Sequence, residues 1–253
     1  MRGRSSGITS TSRSVWSSET RATRTLVLRV LVGVLVGVLL AARDAAAQGS
    51  VRGTLSLVER PGASPGDLRA AVVWLVDRDA PNAPAREAST ATIAMRDREF
   101  LPHVLRVPVG GSVAFPNEDP FSHNVFSNVE PAPFDLGLYR RGVTRAASFR
   151  RPGVYPIYCN IHSKMVSFVV AVPTRWAAQP AADGGFVIDG VPAGRYVVHA
   201  WHERGASELV QELTVPASGV AGVRLAIDAR AYVSGPHLNK FGRPYALTRA
   251  DRY

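Results

Sequence analysis

The sequence has a single cysteine, Cys159, among 253 residues. An intramolecular disulfide is therefore impossible. A zinc ribbon, an iron–sulfur cluster and a dinuclear thiolate copper site each need two or more thiolates and are excluded with it. Lysine is nearly absent, occurring only at Lys164 and Lys240. The formal net charge is +10, but residues 1–47 hold seven arginines against two acids, which leaves about +5 for the rest. That remainder is spread thinly, without the dense basic patch and interleaved aromatics that nucleic-acid binding requires. Long apolar runs are lacking too. The clearest, residues 30–42 (VLVGVLVGVLLAA), has 13 residues, against the roughly 20 that a spanning helix needs. No His-x-His pair occurs, which argues against a trinuclear copper cluster.

What is present is 46% hydrophobic and 20% charged residues, the balance of a globular protein. The 13-residue run follows Arg24 and Arg29 and is followed by Ala45-Ala46-Ala47. A basic flank, a short apolar segment and an Ala-x-Ala end form a secretory signal pattern. Residues 1–47 are thus expected to be a signal peptide, cleaved after Ala47, with an uncleaved membrane anchor as the alternative. The expected location is periplasmic or secreted.

After residue 50 no amphipathic helical period is visible. Short β-branched runs alternate with turn signals, which predicts an all-β fold. Strands are expected over 51–58, 71–76, 90–95, 104–109, 112–115, 123–126, 146–149, 153–158, 166–172, 186–188, 196–201, 208–215 and 223–227, with Gly110-Gly111 as a hairpin turn. Residues 77–89 and 173–185 read as polar linkers. Residues 231–253 form a polar, aromatic-containing tail with no predicted structure.

The chemistry lies in Cys159-Asn160-Ile161-His162-Ser163-Lys164-Met165. A thiolate, an imidazole and a thioether follow one another at intervals of three, and three residues span at most about 10 Å. One tight loop can turn all three side chains onto one centre. Thiolate with thioether selects copper over harder cations, and two histidines with one cysteine and a weak axial methionine form a blue-copper set. His123, in Phe121-Ser122-His123-Asn124-Val125-Phe126, supplies the second imidazole. Singly, a cysteine at a strand end is usually a small hydrophobe, and a lone methionine or histidine is usually structural. Their coincidence at this spacing favours the metal. His103, His199, His202 and His237 are expected to be structural or surface residues.

Several further segments accompany the loop: Phe100-Leu101-Pro102, Val107-Pro108-Val109-Gly110, Val113-Ala114-Phe115-Pro116-Asn117, His123-Asn124-Val125 and Pro152-Gly153-Val154-Tyr155. With them, residues 90–172 resemble a cupredoxin of the plastocyanin and amicyanin type, and the Cys-x2-His-x2-Met spacing resembles the short amicyanin loop. The whole chain resembles exported proteins labelled methylamine utilization protein. The resemblance implies a Greek-key β-sandwich holding one type 1 copper, with His123, Cys159, His162 and Met165 as ligands. It also implies Asn124 as the residue tying the ligand loops together and His162 as the electron port. Ile161 and Phe126 would form the rim, and Lys164, Arg140 and Arg141 a positive fringe for an acidic redox partner.

Asp183-Gly184-Gly185-Phe186 and Gly190-Val191-Pro192-Ala193-Gly194-Arg195-Tyr196 resemble the hairpin of a carboxypeptidase-regulatory-like β-sandwich. Val51-Arg52-Gly53-Thr54 and residues 71–76 resemble its first two strands. The expected organisation is therefore a second small sandwich over 48–80 and 176–230, a cupredoxin over 88–173 inserted into it, and the tail. The expected function is a one-electron carrier between redox proteins, with no enzymatic activity, no nucleic-acid partner and no small-molecule substrate. Copper delivery or a structural role is the alternative.

Overall fold

The computed structural model describes residues 49–81, 89–130 and 132–245. The expected signal segment, the middle of the first linker and the end of the tail lie outside the described residues. In chain order the strands are β1 (Gly49–Val58), β2 (Val72–Asp77), β3 (Thr90–Thr92), β4 (Ala94–Arg96), β5 (Glu99–Leu101), β6 (Val104–Pro108) and β7 (Ser112–Pro116). They continue with β8 (His123–Ser127), β9 (Phe134–Tyr139), β10 (Thr144–Ser148), β11 (Gly153–Tyr158), β12 (Val166–Val172) and β13 (Ala177–Ala178). The last four are β14 (Gly185–Val191), β15 (Gly194–Trp201), β16 (Leu209–Val215) and β17 (Val220–Asp228). A 3-10 turn at Leu68–Ala70 is the only helical element among the described residues, so the fold is all-β.

Four of the sheets stack with three apolar layers between them. The sheet β14-β1-β17 faces the sheet β13-β2-β15-β16 across a core of Leu55, Val73, Leu75, Phe186, Tyr196, Val198 and Leu225 among others. The other face of β2 carries Val72 and Trp74, which pack with Val104, Val170 and Val172 of the sheet β6-β12-β11-β8-β9. That sheet in turn faces β10-β7-β3 across a core that includes Ile93, Phe115, Val125, Phe149, Ile157, Val169 and Ala171. The alternation within β2 and β12 follows from the strand period of two. Both faces are apolar because both are covered, as in any sheet buried on two sides.

The first two sheets use β1 and β2 from the start of the described chain and β13 to β17 from its end. Everything between, β3 to β12, belongs to the remaining sheets. The closing strand β17 runs parallel to β1, from Val51↔Val220 to Val58↔Asp228. Gly184 makes the turn into β14 with a φ of +82°, and a Cβ there would lie 2.1 Å from the carbonyl oxygen of Leu55. Only glycine fits that left-handed, closely approached position.

Two local expectations change. β6 and β7 lie in different sheets, so Gly110-Gly111 carries the chain across the core and does not close a hairpin. The hairpin partner of β8 is instead β9, with His123 opposite Tyr139. The Gly137 interruption and the exposed face of β9 hid that strand from a reading of apolar alternation.

Candidate metal centre

β8 opens on His123 and β11 ends one residue before Cys159, and the two strands pair at Tyr158↔Phe126. This brings a histidine and a cysteine that are 36 residues apart in sequence to the same end of two neighbouring strands. The loop after Cys159 closes on itself: the Met165 N–H donates to the His162 carbonyl at 3.1 Å, and the Cys159 N–H to the Met165 carbonyl at 3.3 Å. β12 begins at the next residue and fixes the far end of the loop.

The result is three donor atoms in a small triangle. Cys159 Sγ lies 3.7 Å from His123 Nδ1 and 3.7 Å from His162 Nδ1, and the two nitrogens are 3.2 Å apart. A circle through the three atoms has a radius of about 2.1 Å, the length of an imidazole bond to a first-row metal and slightly short of a metal–thiolate bond. One ion would therefore be within bonding distance of all three donors. These residues form the one such cluster of metal-capable side chains among the described residues. Met165 is 1% exposed and packs in the same core cluster as Cys159. Two imidazoles, a thiolate and a nearby thioether fit one type 1 copper.

The protons are arranged for a cation. His123 Nε2 donates to Asp119 Oδ2 at 2.7 Å. The carboxylate also accepts the Asp97 N–H at Oδ1, 2.7 Å, and the Arg98 N–H at Oδ2, 3.0 Å. Burial works against the charged form of Asp119, but the Arg98 N–H, the His123 ring and the Asp97 N–H together hold it below the ordinary carboxylate range. With Asp119 ionised the proton is assigned to Nε2, and the Nδ1 lone pair faces the sulfur and His162. Burial also pushes His123 down, against the pull of Asp119, which keeps the ring neutral. The Cys159 thiol is pushed up by burial, opposed by hydrogen bonds from the main-chain N–H groups of Asn124, Ile161 and His162.

Asp119 is the residue that a reading of the sequence missed. It lies in a loop organised by Asn117, whose amide donates to the carbonyls of Phe121 (2.9 Å) and Tyr139 (3.1 Å) and whose Oδ1 accepts the Asp119 N–H (3.0 Å). Its two N–H partners form the tip of the β4–β5 hairpin, where Asp97 and Arg98 have φ of +56° and +62°, the conformation of a type I′ turn. The hairpin tip thus fixes the carboxylate and the carboxylate fixes the imidazole. Only the Asn-x-Asp-x-x-x-His spacing (Asn117, Asp119, His123) would have hinted at it.

Asn124 reaches the sulfur through its main-chain N–H. Its side-chain amide turns the other way, to Asp135 Oδ1 of β9 at 2.6 Å. His162 is half-buried beside Ile161, which is 44% exposed. Phe121 stands edge-on to both histidine rings, at 5.2 Å from His123 and 5.6 Å from His162. Arg98 lies 5.3 Å over the Phe121 ring. Phe126 is fully buried and is not a rim residue. It packs behind the site on Tyr158, at 5.6 Å.

His237 and Tyr245 also reach the site, from the tail. The Tyr245 hydroxyl donates to the Cys159 carbonyl at 2.6 Å. The His237 ring stacks on Tyr158 at 4.4 Å and 26°. Among the other histidines, His103 pairs with Glu203 at 2.8 Å and His202 is buried against the Asp67 carbonyl.

No protein-family model and no curated protein sequence matches the chain. Among solved structures, similarity is found to a purple cupredoxin from Nitrosopumilus maritimus, at 26% identity over 32% of this chain and 99% of that one, with a TM-score of 0.30. Amicyanin from Paracoccus versutus is 21% identical over 39% of this chain and 91% of its own, with a TM-score of 0.31. A copper-containing nitrite reductase from Thermus scotoductus SA-01 is 26% identical over 46% of this chain and 28% of its own, with a TM-score of 0.32. The overlaps are partial, and the copper assignment rests on the donor set and its spacing.

Proposed function

We propose that the protein is an exported type 1 copper protein that carries single electrons between redox partners and is not an enzyme. The observation that carries this reading is the buried triangle of His123 Nδ1, Cys159 Sγ and His162 Nδ1 beside Met165. In this reading His123, Cys159 and His162 would hold the copper, and Met165 would supply a weak thioether ligand beside them. Copper, when bound, supplies a one-electron couple whose potential is tuned by the axial ligand and the surroundings of the sulfur.

The chain's own residues do the rest. Asp119 keeps a proton on His123 Nε2 and leaves Nδ1 bare. Cys159 releases its proton as the metal enters, and the N–H groups of Asn124, Ile161 and His162 then stabilise the thiolate charge. The strands β8, β11 and β12 hold the donors in one arrangement, so little has to move as the charge changes. Buried Phe126 and Val125 exclude water from the rear, whereas half-buried His162 with Ile161 offers the shortest way out. A redox protein with an acidic surface would dock there, where Lys164 is exposed. The sheets built from β1, β2 and β13 to β17 form, in this proposal, a carboxypeptidase-regulatory-like domain of structural role into which the cupredoxin part is inserted. The apolar run of residues 30–42 with its Ala-x-Ala end supports export.

Adding Cu(II) to the purified protein tests the reading. An intense visible thiolate-to-copper band, lost in Cys159→Ser, is expected. A colourless complex would instead favour copper delivery or storage, and no binding would end both.

A further inference from the structure

Residues 231–245 contain no strand, yet they leave the last strand of one sheet pair and end on the ligand loop of the other. The near end is anchored first. The Arg60 guanidinium donates to the Tyr232 carbonyl at 2.9 Å, the Arg204 guanidinium lies 5.2 Å over the Tyr232 ring, and the Tyr232 N–H returns to the Ala229 carbonyl at 3.1 Å.

The far end takes up the polar groups that the ligand loop leaves open. The Tyr245 hydroxyl donates to the Cys159 carbonyl (2.6 Å), the Lys240 N–H to Asn160 Oδ1 (2.9 Å) and the His237 N–H to the Ser163 carbonyl (3.3 Å). The loop closes on itself through two main-chain bonds at 3.1 and 3.3 Å and through the Ile161 and His162 N–H groups on the sulfur, and these three contacts hold residues 159–163 from outside it.

The same segment also grips the histidine side of the site. The His237 ring stacks on Tyr158 and stands edge-on to Phe126 at 6.4 Å. Tyr158 and Phe126 are the residues at which β11 and β8 pair, so His237 covers the junction of the strands that deliver Cys159 and His123. The Lys240 ammonium donates to Asp135 Oδ2 at 2.6 Å, and Asp135 Oδ1 accepts the amide of Asn124, the neighbour of His123.

We propose that residues 231–245 are a strap that positions the ligand loop against His123, with Tyr245 and His237 as its positioning residues. The strap rests on the copper reading for its purpose but not for its existence. A loop of seven residues with three ligands must keep its donors in place when the charge at their centre changes. Contacts from outside the loop that hold its first carbonyl and the strand junction beneath it limit that movement. The Tyr245 hydroxyl reaches the Cys159 carbonyl, and His237 reaches the Tyr158 ring and the Ser163 carbonyl, so each acts through those groups.

The test compares the full chain with four variants: a stop after Arg230, Tyr245→Phe, His237→Ala and His237→Phe. Amide hydrogen exchange at Cys159 and Met165 in the metal-free protein is the first readout. Loss of the strap should speed it by about tenfold. The second is the rate of copper release to a chelator, together with the position of the visible band. Release should be about 10-fold faster without the strap, in line with losing partners outside the ligand shell. Tyr245→Phe, which removes the hydroxyl's contacts with the Cys159 carbonyl and with His237 Nδ1 (3.4 Å) and keeps the ring, should show part of the effect. His237→Phe should restore the stacking that His237→Ala loses.

Unchanged exchange in both the truncated chain and Tyr245→Phe would overturn the strap whatever the metal. Faster exchange with unchanged copper release and an unmoved band would show a strap that does not position ligands, and would overturn the proposal as well. Should the full chain give no visible band while the exchange still responds, the copper reading fails and the strap stands.

Discussion

Replacing Asp119 by asparagine should raise the reduction potential of the bound copper. The wild-type carboxylate is 3% exposed and hydrogen-bonded to His123 at 2.7 Å. Counting that bond, the width of an imidazole and a metal bond of about 2 Å, it lies roughly 6 Å from the centre of the three donors. At an effective dielectric of about 20, one unit charge at that distance is worth about 3 kcal/mol against the extra charge of Cu(II) over Cu(I). A one-electron couple shifts by 59 mV per tenfold change in equilibrium constant, so the full loss is roughly 120 mV, and about half that if the site is twice as well screened. The sign is fixed, because removing a negative charge destabilises the more positive oxidation state. Asparagine also has one acceptor oxygen where the carboxylate has two, so at least one of the Asp97, Arg98 and His123 donors would face an NH₂ group. A copper affinity lower by about 10- to 100-fold should accompany the shift. The assay is a redox titration followed at the visible band, with the intact band showing that His123 still binds. A potential that stays put or falls would refute the reasoning, since it would mean that the carboxylate does not act on the metal through the ring.

Gly184→Ala should destabilise the fold by about 1–3 kcal/mol, because it adds a Cβ at positive φ against the Leu55 carbonyl; urea unfolding of the variant checks it. The His103–Glu203 contact should make stability depend on pH. The hydrogen bond that His103 donates to Glu203 raises His103 against burial, so its contribution is complete below the ordinary histidine value and fades as pH rises through the raised one. Burial pushes Glu203 up but His103 pulls it further down, so that contribution is present above the ordinary glutamate value and fades in acid. The cost of His103→Gln, measured by unfolding at pH 6 and again at pH 9, should therefore shrink at the higher pH; a cost that grows would contradict it. Phe115→Ala, at a fully buried position between the site's two sheets, should cost about 3–5 kcal/mol, read from the same unfolding curves.

Much of the site was legible because its chemistry is local. Cys159, His162 and Met165 sit in one loop at intervals of three, and period-two alternation marked the strands that carry them. Asp119 was not legible. A carboxylate four residues before a histidine acquires meaning only when the β4–β5 hairpin tip folds over it. Phe126 reads as a rim residue by its nearness to His123, but the pleat turns it inward against Tyr158. The tail could not be read either. Its hold on the loop comes from single contacts at Tyr232, His237, Lys240 and Tyr245, spaced without any period, and each finds its partner far away in sequence. The Gly110-Gly111 turn looked like a hairpin because local signals cannot say whether consecutive strands share a sheet.

β12 leaves the ligand loop at Val166 and has no solvent side: Val169 and Ala171 enter one apolar layer, Val170 and Val172 the other. Melting either layer bares half of the same strand to water. Heat should therefore not peel the stack apart sheet by sheet. A calorimeter should record a single absorption peak for the whole β assembly, and the copper loop should let go at the temperature at which the sheets farthest from it do.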